Sequence, residues 1–416
     1  MNSRKISVGL NIAIVQLNPQ IGQVKQTVSR VYELIDKFKG TLGSQKTPDL
    51  VVFPEFALTG YNFHSREHIL PYLTNDPSKG VSFDLAEKVS KMFNCYTVIG
   101  YPERYIDSSE KEHLYNSAAV VDPDGKLVFN YRKSFLYNTD EEWGCEENPN
   151  GFQNFNLDFP GKGTDLRTGE KLDVSLNSSI GICMDLSPYK FQAPFDKFEF
   201  STYNIDNNSE LIICPMAWLH SSSYTNHSND SKSKVMHGIE TNLKNHSLPL
   251  HGSQGKFVVD IDENNKTERI ENDSDSIEIS YSELDKPDMS NVNYWLLRFM
   301  PFLSCMFRNK RFVDDSSFPS YDLEYSCGEK SYMGSTKDSP WAFKDKNATI
   351  VLANRCGVED GTTIFAGSSG IWKFNGQDVD TETNLNSLNE SVELLGNLGK
   401  CHEGIIMRHV DFEIIR

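Results

Sequence analysis

The feature that most constrains the fold of this chain is a cysteine at the end of an apolar run, within residues 179–186. An acidic residue and a Ser-Pro turn signal follow Cys183 closely. A helix-capable segment at 189–203 and a second apolar run at 211–215 come next. This order predicts a strand–turn–helix–strand unit with a thiol at the carboxyl end of its first strand. Open α/β sheets bind ligands at such strand ends, although a lone cysteine is more often a small buried hydrophobe.

Strand and helix patterns alternate along the rest of the chain. Residues 9–17 read as a first strand, and apolar residues then recur at helical spacing from Val24 to Phe38. Two further strands are predicted at 49–55 and 96–100, with a helix near 83–93 before the second. Residues 117–121 and 127–131 flank an Asp-Pro-Asp-Gly turn and so predict a hairpin, and a last strand is predicted at 404–415. The pattern is typical of an α/β fold with mixed strand directions.

The stretch from about 260 to 346 departs from this pattern. Residues 262–288 are rich in Asp, Glu, Asn and Ser, which predicts a flexible surface segment. Residues 294–301 carry enough aromatic mass to predict a helix docked on the core, and core sequence resumes at Thr349. We find no internal repeat, and we predict one domain over residues 1–416 with this stretch as an insertion.

Composition and charge exclude several classes of function. The net charge of −17 over 416 residues disfavours binding to nucleic acid or to anionic membranes. No apolar run is long enough to span a membrane, and we see no secretory signal. The eight cysteines are dispersed, without Cys-x-x-Cys or zinc-ligand spacing, so we expect no metal site. Reduced thiols in apolar strands predict a cytoplasmic or nuclear protein.

Three polar residues follow three separate predicted strands: Glu55, Lys133 and Cys183. Each has a structural explanation of its own, as a helix cap, a solvated charge and a buried hydrophobe. Their surroundings form motifs, however: Pro-Glu-Phe-Ala-Leu-Thr-Gly-Tyr at 54–61, Tyr-Arg-Lys-Ser-Phe-Leu-Tyr at 131–137 and Gly-Ile-Cys-Met-Asp-Leu at 181–186. In this order, and together with the first strand, the hairpin and residues 353–357 and 365–370, they resemble the nitrilase superfamily of carbon–nitrogen hydrolases.

The resemblance implies an αββα sandwich, in which two mixed sheets pack face to face with helices outside. It implies that Cys183 is the nucleophile, that Glu55 is the general base and acid, and that Lys133 stabilises the oxyanion. It requires no metal or organic cofactor. Within the family, the segments and the acidic insertion are most similar to eukaryotic members that act on peptides and proteins with N-terminal Asn or Gln. Those members convert the amides to Asp and Glu, a step toward N-degron protein degradation.

Family members often carry a second glutamate that orients the lysine. The acidic run at 140–147 offers several candidates, and counting back from residues 148–152 favours Glu141 or Glu142 over Glu146 and Glu147 without deciding between the first two. We therefore include Glu142 among the candidate substrate-site residues.

Three more candidates for the substrate site lie near or beyond the cysteine. The backbone N–H of Met184 would join Lys133 at the oxyanion. Asp185 either hydrogen-bonds the local backbone, which is the commoner use of Asp at a turn, or shapes the pocket. Trp218 either forms a wall of the pocket or lies in the core. A substrate's α-ammonium loses water on entering a cleft, and Asp185 and the acidic run at 140–147 are the acidic groups that could bind it.

Two other interpretations stay open on the sequence alone. The first is an amidase for small molecules, such as an ω-amidase or a carbamoyl hydrolase. The second is a non-catalytic scaffold that retains the fold, although a scaffold would not need Glu55, Lys133 and Cys183 together. The sequence does not decide between a monomer and a homodimer, nor between Asn and Gln as the preferred residue.

Overall fold

A computed structural model describes residues 4–43, 46–220, 223, 257–264, 285–304, 326–327, 330–332, 340–360, 363–377 and 389–416. The strands are β1 Lys5–Gln16, β2 Leu50–Val52, β3 Tyr96–Ile106, β4 Glu112–Val121, β5 Leu127–Arg132, β6 Asn154–Asp165, β7 Lys171–Ile180, β8 Leu211–Met216, β9 Val258–Asp260, β10 Ser326–Cys327, β11 Lys330–Ser331, β12 Ala348–Asn354, β13 Val358–Glu359, β14 Thr363–Ile364, β15 Gly370–Phe374, β16 Val392–Asn397 and β17 Gly404–Ile415. The α-helices are α1 Val24–Thr41, α2 Arg66–Ile69, α3 Val81–Phe93, α4 Asn138–Glu142, α5 Glu199–Asp206 and α6 Met289–Arg298.

Strand β1 connects two groups of strands that face each other. Its residues Ile12–Ile14 pair with β2, which continues in the order β3, β4, β5. Its residues Ile6–Val8 pair with β6, which continues in the order β7, β8, β12, β15, β16. The two groups meet where Phe129 of β5 stacks on Phe155 of β6, with ring centroids 4.2 Å apart. The predicted αββα sandwich is confirmed, and the β1–β6 hydrogen bonds join its two sheets at one edge.

The alternation of side chains along β1 explains the layers. Ile12 and Ile14 point into the core between the sheets, whereas Ala13 and Val15 point outward to a second apolar cluster. Helix α1 covers that outer face with the apolar stripe Val31, Leu34, Ile35 and Phe38, as its helical spacing predicts. Each group of strands therefore buries one face against its partner sheet and the other against helices.

Residues 294–301, predicted as a docked helix, do pack on the core, but the helix α6 begins earlier, at Met289, and ends at Arg298, before a short 3-10 turn at Met300–Phe302. Trp295 on this helix is fully buried and contacts Trp372 of β15 edge to face, with centroids 6.5 Å apart. The predicted flexible segment at 262–288 lies mostly outside the described residues. The first strand, the hairpin of β4 and β5, and the last strand agree with the sequence prediction, although β1 begins earlier than predicted.

The predicted helix at 189–203 is wrong over most of its length. Only Glu199–Asp206 is α-helical, and short 3-10 turns occupy 189–191 and 195–197. Prolines at 188 and 194 begin these turns, and Lys190, Phe191 and Phe198 have positive φ angles that no α-helix accepts. The surrounding strand pair is as predicted, since β7 and β8 run parallel.

Among the described residues, no helix is both long and apolar enough to cross a bilayer. The same residues contain no group of three or more His, Cys, Asp or Glu side chains placed to hold a metal ion.

Candidate active site

A buried lysine lies at the centre of the site. Lys133 follows β5 and is fully buried, and its Nζ donates to Glu55 Oε1 at 2.8 Å and to Asp140 Oδ2 at 2.7 Å. Both carboxylates are fully buried as well. A buried charge is tolerated only when it is paired and hydrogen-bonded, and this lysine has two charged partners. The two negative charges raise the pKa of Lys133 well above its ordinary value despite burial, so the ammonium stays protonated.

Glu55 reaches the lysine from the turn after β2. The turn packs directly on β3, because the Gly100 N–H donates to the Pro54 carbonyl oxygen at 3.2 Å. A Cβ at Gly100 would lie 2.6 Å from Glu55 Cα, so this close approach requires glycine. The residue after the glutamate, Phe56, has a φ of +46°. The local backbone thus fixes Glu55 at the carboxyl end of its strand.

Asn116 links the two carboxylates from β4. Its Nδ2 donates to Glu55 Oε1 at 2.6 Å and to Asp140 Oδ1 at 3.0 Å. Glu55 Oε1 therefore accepts two hydrogen bonds, whereas its buried Oε2 has no partner among the described residues. One oxygen of this carboxyl group holds its position, and the other remains available for proton transfer.

Cys183 stands at the start of a 3-10 turn, Cys183–Leu186, directly after β7. Its φ of +44° is a left-handed conformation that is uncommon for non-glycine residues. The side chain is 8% exposed and lines a cavity of about 310 Å³. The turn thus brings Cys183 to the cavity wall, while the residue also packs against the core between the sheets.

Electrostatics couple the thiol to the lysine cluster. Burial raises the pKa of Cys183 well above its ordinary value, the charge of Glu55 raises it further, and Lys133 opposes both effects. Burial also raises the pKa of Glu55, and Lys133 opposes this shift as well. A neutral thiol beside a carboxyl group whose proton affinity is raised can transfer its proton to that group. The arrangement can therefore generate a thiolate next to a fixed positive charge, as nucleophilic attack on an amide requires.

Comparison with known proteins agrees with this chemistry. The family model for carbon-nitrogen hydrolase matches residues 11–186. The chain is 49% identical over 455 residues to the protein N-terminal amidase of Saccharomyces cerevisiae, covering 100% of this chain and 98% of the relative. It is 37% identical over 223 residues to the protein N-terminal amidase of Schizosaccharomyces pombe, covering 50% of this chain and 71% of that relative.

The chain belongs to the carbon–nitrogen hydrolases, and within them to the protein N-terminal amidases. Crystal structures of N-terminal amidase with a Gln-Val peptide and with an Asn-Glu peptide each match it with a TM-score of 0.86. The sequence identities are 49% and 48%, and each match covers 99% of this chain and 100% of the other. The protein is a hydrolase acting on carbon–nitrogen amide bonds.

Asp140, and not a glutamate, is the second acid at the lysine of this hydrolase. Glu141 and Glu142 are exposed on α4, and the hydrogen bonds of Lys133 Nζ go to Glu55 and Asp140, so the prediction of Glu141 or Glu142 as the partner of the lysine is wrong. Asp140 occupies the first turn of α4, where its Oδ2 also accepts from the Tyr137 N–H at 3.0 Å. That capping contact turns its side chain inward. An acid in the first turn of a helix is a recognisable capping signal, which could have identified Asp140.

Asp185 holds the local backbone, as its commoner use predicts. Its Oδ1 accepts from the N–H groups of Ser134 and Phe135 at 3.0 and 2.7 Å, and its Oδ2 accepts from the N–H of Ile182 at 2.7 Å and the hydroxyl of Tyr131 at 2.9 Å. These bonds tie the turn that carries Cys183 to the residues that follow Lys133. Asp185 is fully buried and does not line the cavity.

Some residues that line the cavity were predicted from the sequence and others were not. Trp218 and Met184 both line it, and Trp218 is half-buried and also packs against the core. Cys183 also lines the cavity, as predicted. Eight further lining residues were not predicted as site residues: Tyr61, Tyr137, Ser187, Phe191, Ala217, Leu219, Asn291 and Tyr294. Tyr61 and Tyr137 are the last residues of two recognised motifs, and Ser187 directly follows the third. Asn291 and Tyr294 arrive from α6, which the sequence could not place.

Proposed function

We propose that this hydrolase converts the side-chain amide of N-terminal Asn or Gln in peptides and proteins to the acid, with release of ammonia, through a thioester on Cys183. The observation that carries the proposal is the Glu55–Lys133–Cys183 cluster at a cavity, in a chain that matches a protein N-terminal amidase along its full length. The product, an N-terminal Asp or Glu, would feed N-degron protein degradation.

The reaction begins with the thiol. Glu55 takes the proton of Cys183 through its unpaired Oε2, and the thiolate attacks the amide carbon. Negative charge develops on the amide oxygen, where Lys133 and the backbone N–H of Met184 stabilise it. Glu55 then gives its proton to the leaving nitrogen, the C–N bond breaks, and ammonia departs from the thioester.

The second half of the reaction uses the same residues. Glu55 removes a proton from a water molecule, and the resulting hydroxide attacks the thioester carbon. Lys133 again faces the oxyanion, and the C–S bond breaks as Cys183 regains its proton. Asp140 does not contact the reacting atoms in this scheme. It acts as a positioning residue that balances the charge of Lys133 and keeps Nζ between the two carboxylates.

Selection of a chain terminus depends on the α-ammonium group. Asp140 and Asp185 are buried and hydrogen-bonded elsewhere, and no residue of the acidic run lines the cavity, so we do not assign the ammonium to the acidic groups suggested by the sequence. Hydroxyl groups and aromatic faces line the described part of the cavity, and both can attract a cation. The net charge of −17 adds a weak attraction that salt screens.

Five described cysteines are buried free thiols: Cys95, Cys145, Cys183, Cys214 and Cys356. This supports a site of action in the cytoplasm or nucleus, where thiols stay reduced.

Peptides that differ only at the N-terminus test the proposal. Ammonia release and the mass change from amide to acid would be measured for an Asn-initiated peptide, its N-acetylated form and a peptide with Asn at position two. We expect the first to be hydrolysed and the other two to be nearly inert, because a site built around a charged group rejects analogues that lack it. Free asparagine, glutamine and small dicarboxylic amides complete the panel. Equal rates on the acetylated peptide, or faster hydrolysis of the free amides, would replace the proposal with a general or small-molecule amidase.

A further inference from the structure

Two hydroxyl groups that line the cavity have no hydrogen-bond partner among the residues that the structure describes. They belong to Tyr61 and Ser187, whose side chains are 2% and 1% exposed, and neither oxygen is paired within the described residues. Buried polar atoms are nearly always satisfied, because a buried group without a hydrogen bond has lost its bonds to water and gained nothing in return. An unpaired hydroxyl at the wall of a binding cavity is therefore a group that a ligand can satisfy.

The protein fixes Tyr61 without using its hydroxyl. The backbone N–H donates to both carboxylate oxygens of Glu359, at 3.2 and 3.1 Å, and Arg355 forms an ion pair with the same carboxylate at 3.0 Å. The ring packs between Phe56 and Phe365, with centroid distances of 5.8 and 6.3 Å. This clamp determines where the phenol oxygen lies, so its lack of a partner is not the result of a loose side chain.

Tyr61 also lies beside the reacting groups. Lys133 Nζ is 5.8 Å from the centroid of its ring. Burial raises the pKa of Tyr61 well above its ordinary value, and the charges of Asp140, Glu55 and Cys183 raise it further. The phenol thus remains protonated and can donate a hydrogen bond toward an amide held at the thiol.

Ser187 ends the 3-10 turn that begins at Cys183. Its backbone N–H donates to the Met184 carbonyl oxygen at 2.9 Å, while its hydroxyl makes no bond to the turn. Serine at a turn usually bonds its hydroxyl to nearby backbone, so this side chain departs from the ordinary pattern. Since no carboxylate lines the described part of the cavity, its oxygen is a candidate acceptor for a cation.

We propose that these two hydroxyls hold the two polar ends of the substrate's first residue: Tyr61 donates to the side-chain amide under attack, and Ser187 accepts from the α-ammonium. The inference rests on the proposed function, because it assumes a substrate with both groups on one residue. It predicts that Tyr61→Phe and Ser187→Ala impair different aspects of recognition.

Tyr61→Phe tests the first hydroxyl. The substitution keeps the ring and its packing, so we expect kcat on an Asn-initiated peptide to fall about tenfold to a hundredfold with the melting temperature unchanged or raised. Tyr131→Phe is the matched contrast, because the Tyr131 hydroxyl bonds to Asp185 and to Ser134, each at 2.9 Å. That variant should lose stability. Full activity in Tyr61→Phe, or a fall in its melting temperature like that of Tyr131→Phe, would overturn the role of Tyr61.

Binding measurements test the second hydroxyl. In a Cys183→Ala background, calorimetry would give Kd for an Asn-initiated peptide and for its desamino analogue, which carries hydrogen in place of the ammonium. The Kd of the desamino analogue divided by the Kd of the Asn-initiated peptide measures how strongly the ammonium is recognised. Ser187→Ala should reduce this ratio about tenfold, whereas Tyr61→Phe should leave it unchanged. A ratio unaffected by Ser187→Ala would overturn the assignment.

Thr349→Val is the control for hydroxyl removal in general. The Thr349 hydroxyl is also buried and has no partner in the described part of the chain, but it lies on β12 and is not among the residues that line the cavity. This variant should match the parent in stability, activity and Kd ratio. The test is separate from that of the proposed function: if the parent protein fails to release ammonia from Asn-initiated peptides, the proposed function is wrong, whereas a working parent with unaffected variants contradicts only the hydroxyl assignments.

Discussion

Two fully buried acids, Glu55 and Asp185, follow strands of the same sandwich but differ in how their oxygens are hydrogen-bonded. Asp185 uses both oxygens to accept four hydrogen bonds from neutral donors, three of them backbone N–H groups. Glu55 accepts two hydrogen bonds on one oxygen, and its other oxygen has no partner in the described part of the chain. Burial raises the pKa of both groups.

The difference shows how the fold distinguishes an acid that holds the structure in place from an acid that transfers a proton. A satisfied carboxyl group with no vacant lone pair facing the cavity can only hold its neighbours in place. A carboxyl group that is anchored at one oxygen and open at the other can move a proton while its position stays fixed. Lys133 and Asn116 supply that anchor for Glu55, whereas nothing comparable leaves Asp185 open.

The largest effect should come from Glu55→Gln, which keeps the shape of the side chain and removes its proton chemistry. We expect kcat on an Asn-initiated peptide to fall by at least about a thousandfold, since both half-reactions need the same group. Circular dichroism and a melting curve should show a folded protein. Activity within tenfold of the parent would mean that another residue is the base.

Asp140→Asn should have the next largest effect, and it tests the anchor. We expect a loss of about tenfold to a hundredfold in kcat, because Lys133 loses one of its two charged partners. The charge of Asp140 raises the pKa of Glu55, so its removal should lower that pKa. Activity that needs ionised Glu55 would then appear at lower pH, and the acidic limb of the kcat/KM profile should move down. An acidic limb that stays in place or moves up contradicts the electrostatic coupling.

Asp185→Asn should affect stability more than chemistry. An amide nitrogen cannot accept the bonds that one carboxylate oxygen now accepts, so we expect a loss of about 1–3 kcal/mol in the free energy of unfolding. Urea denaturation measures it. If the variant is as stable as the parent but inactive, Asp185 belongs to the chemistry and the comparison with Glu55 fails.

The same residue predicts a pH dependence of stability. Burial raises the pKa of Asp185 to about 7, from an ordinary value of 3.8. The folded protein therefore binds this proton more tightly than the unfolded chain does. The resulting contribution to the free energy of unfolding is complete while Asp185 is protonated in both states, and it is lost as the pH rises from about 4 to 7. Denaturation curves across that range should show a smaller loss in Asp185→Asn than in the parent. An identical slope in both would contradict the raised pKa.

Local patterns predicted an α/β fold and placed three polar residues at strand ends, whereas the sandwich and the roles of those residues came from the resemblance of their motifs to the family. Glu55, Lys133 and Cys183 each follow an apolar strand within a motif, and local patterns identify strand ends well. Asp140 was missed because its role depends on the direction in which a five-residue helix turns its side chains. The partners of Asp185 and the contribution of α6 to the cavity depend on contacts between distant segments, which no local pattern encodes.

The smallest effect should come from Glu142→Gln, which sharpens the contrast between an exposed and a buried acid on the same helix. Glu142 is exposed, so its replacement should change kcat/KM less than about twofold and leave the melting temperature unchanged. A loss of activity as large as that of Asp140→Asn would mean that Glu142 is a residue of the active site.

The most direct test of the account is to trap the thioester. The parent protein would be mixed with an Asn-initiated peptide, quenched in acid within one turnover, digested and examined by mass spectrometry. We predict an adduct on Cys183 equal to the substrate less ammonia, and no adduct or ammonia release in Cys183→Ala. An adduct on another residue, or ammonia release by Cys183→Ala at the rate of the parent protein, would contradict the central claim that this cysteine attacks the amide.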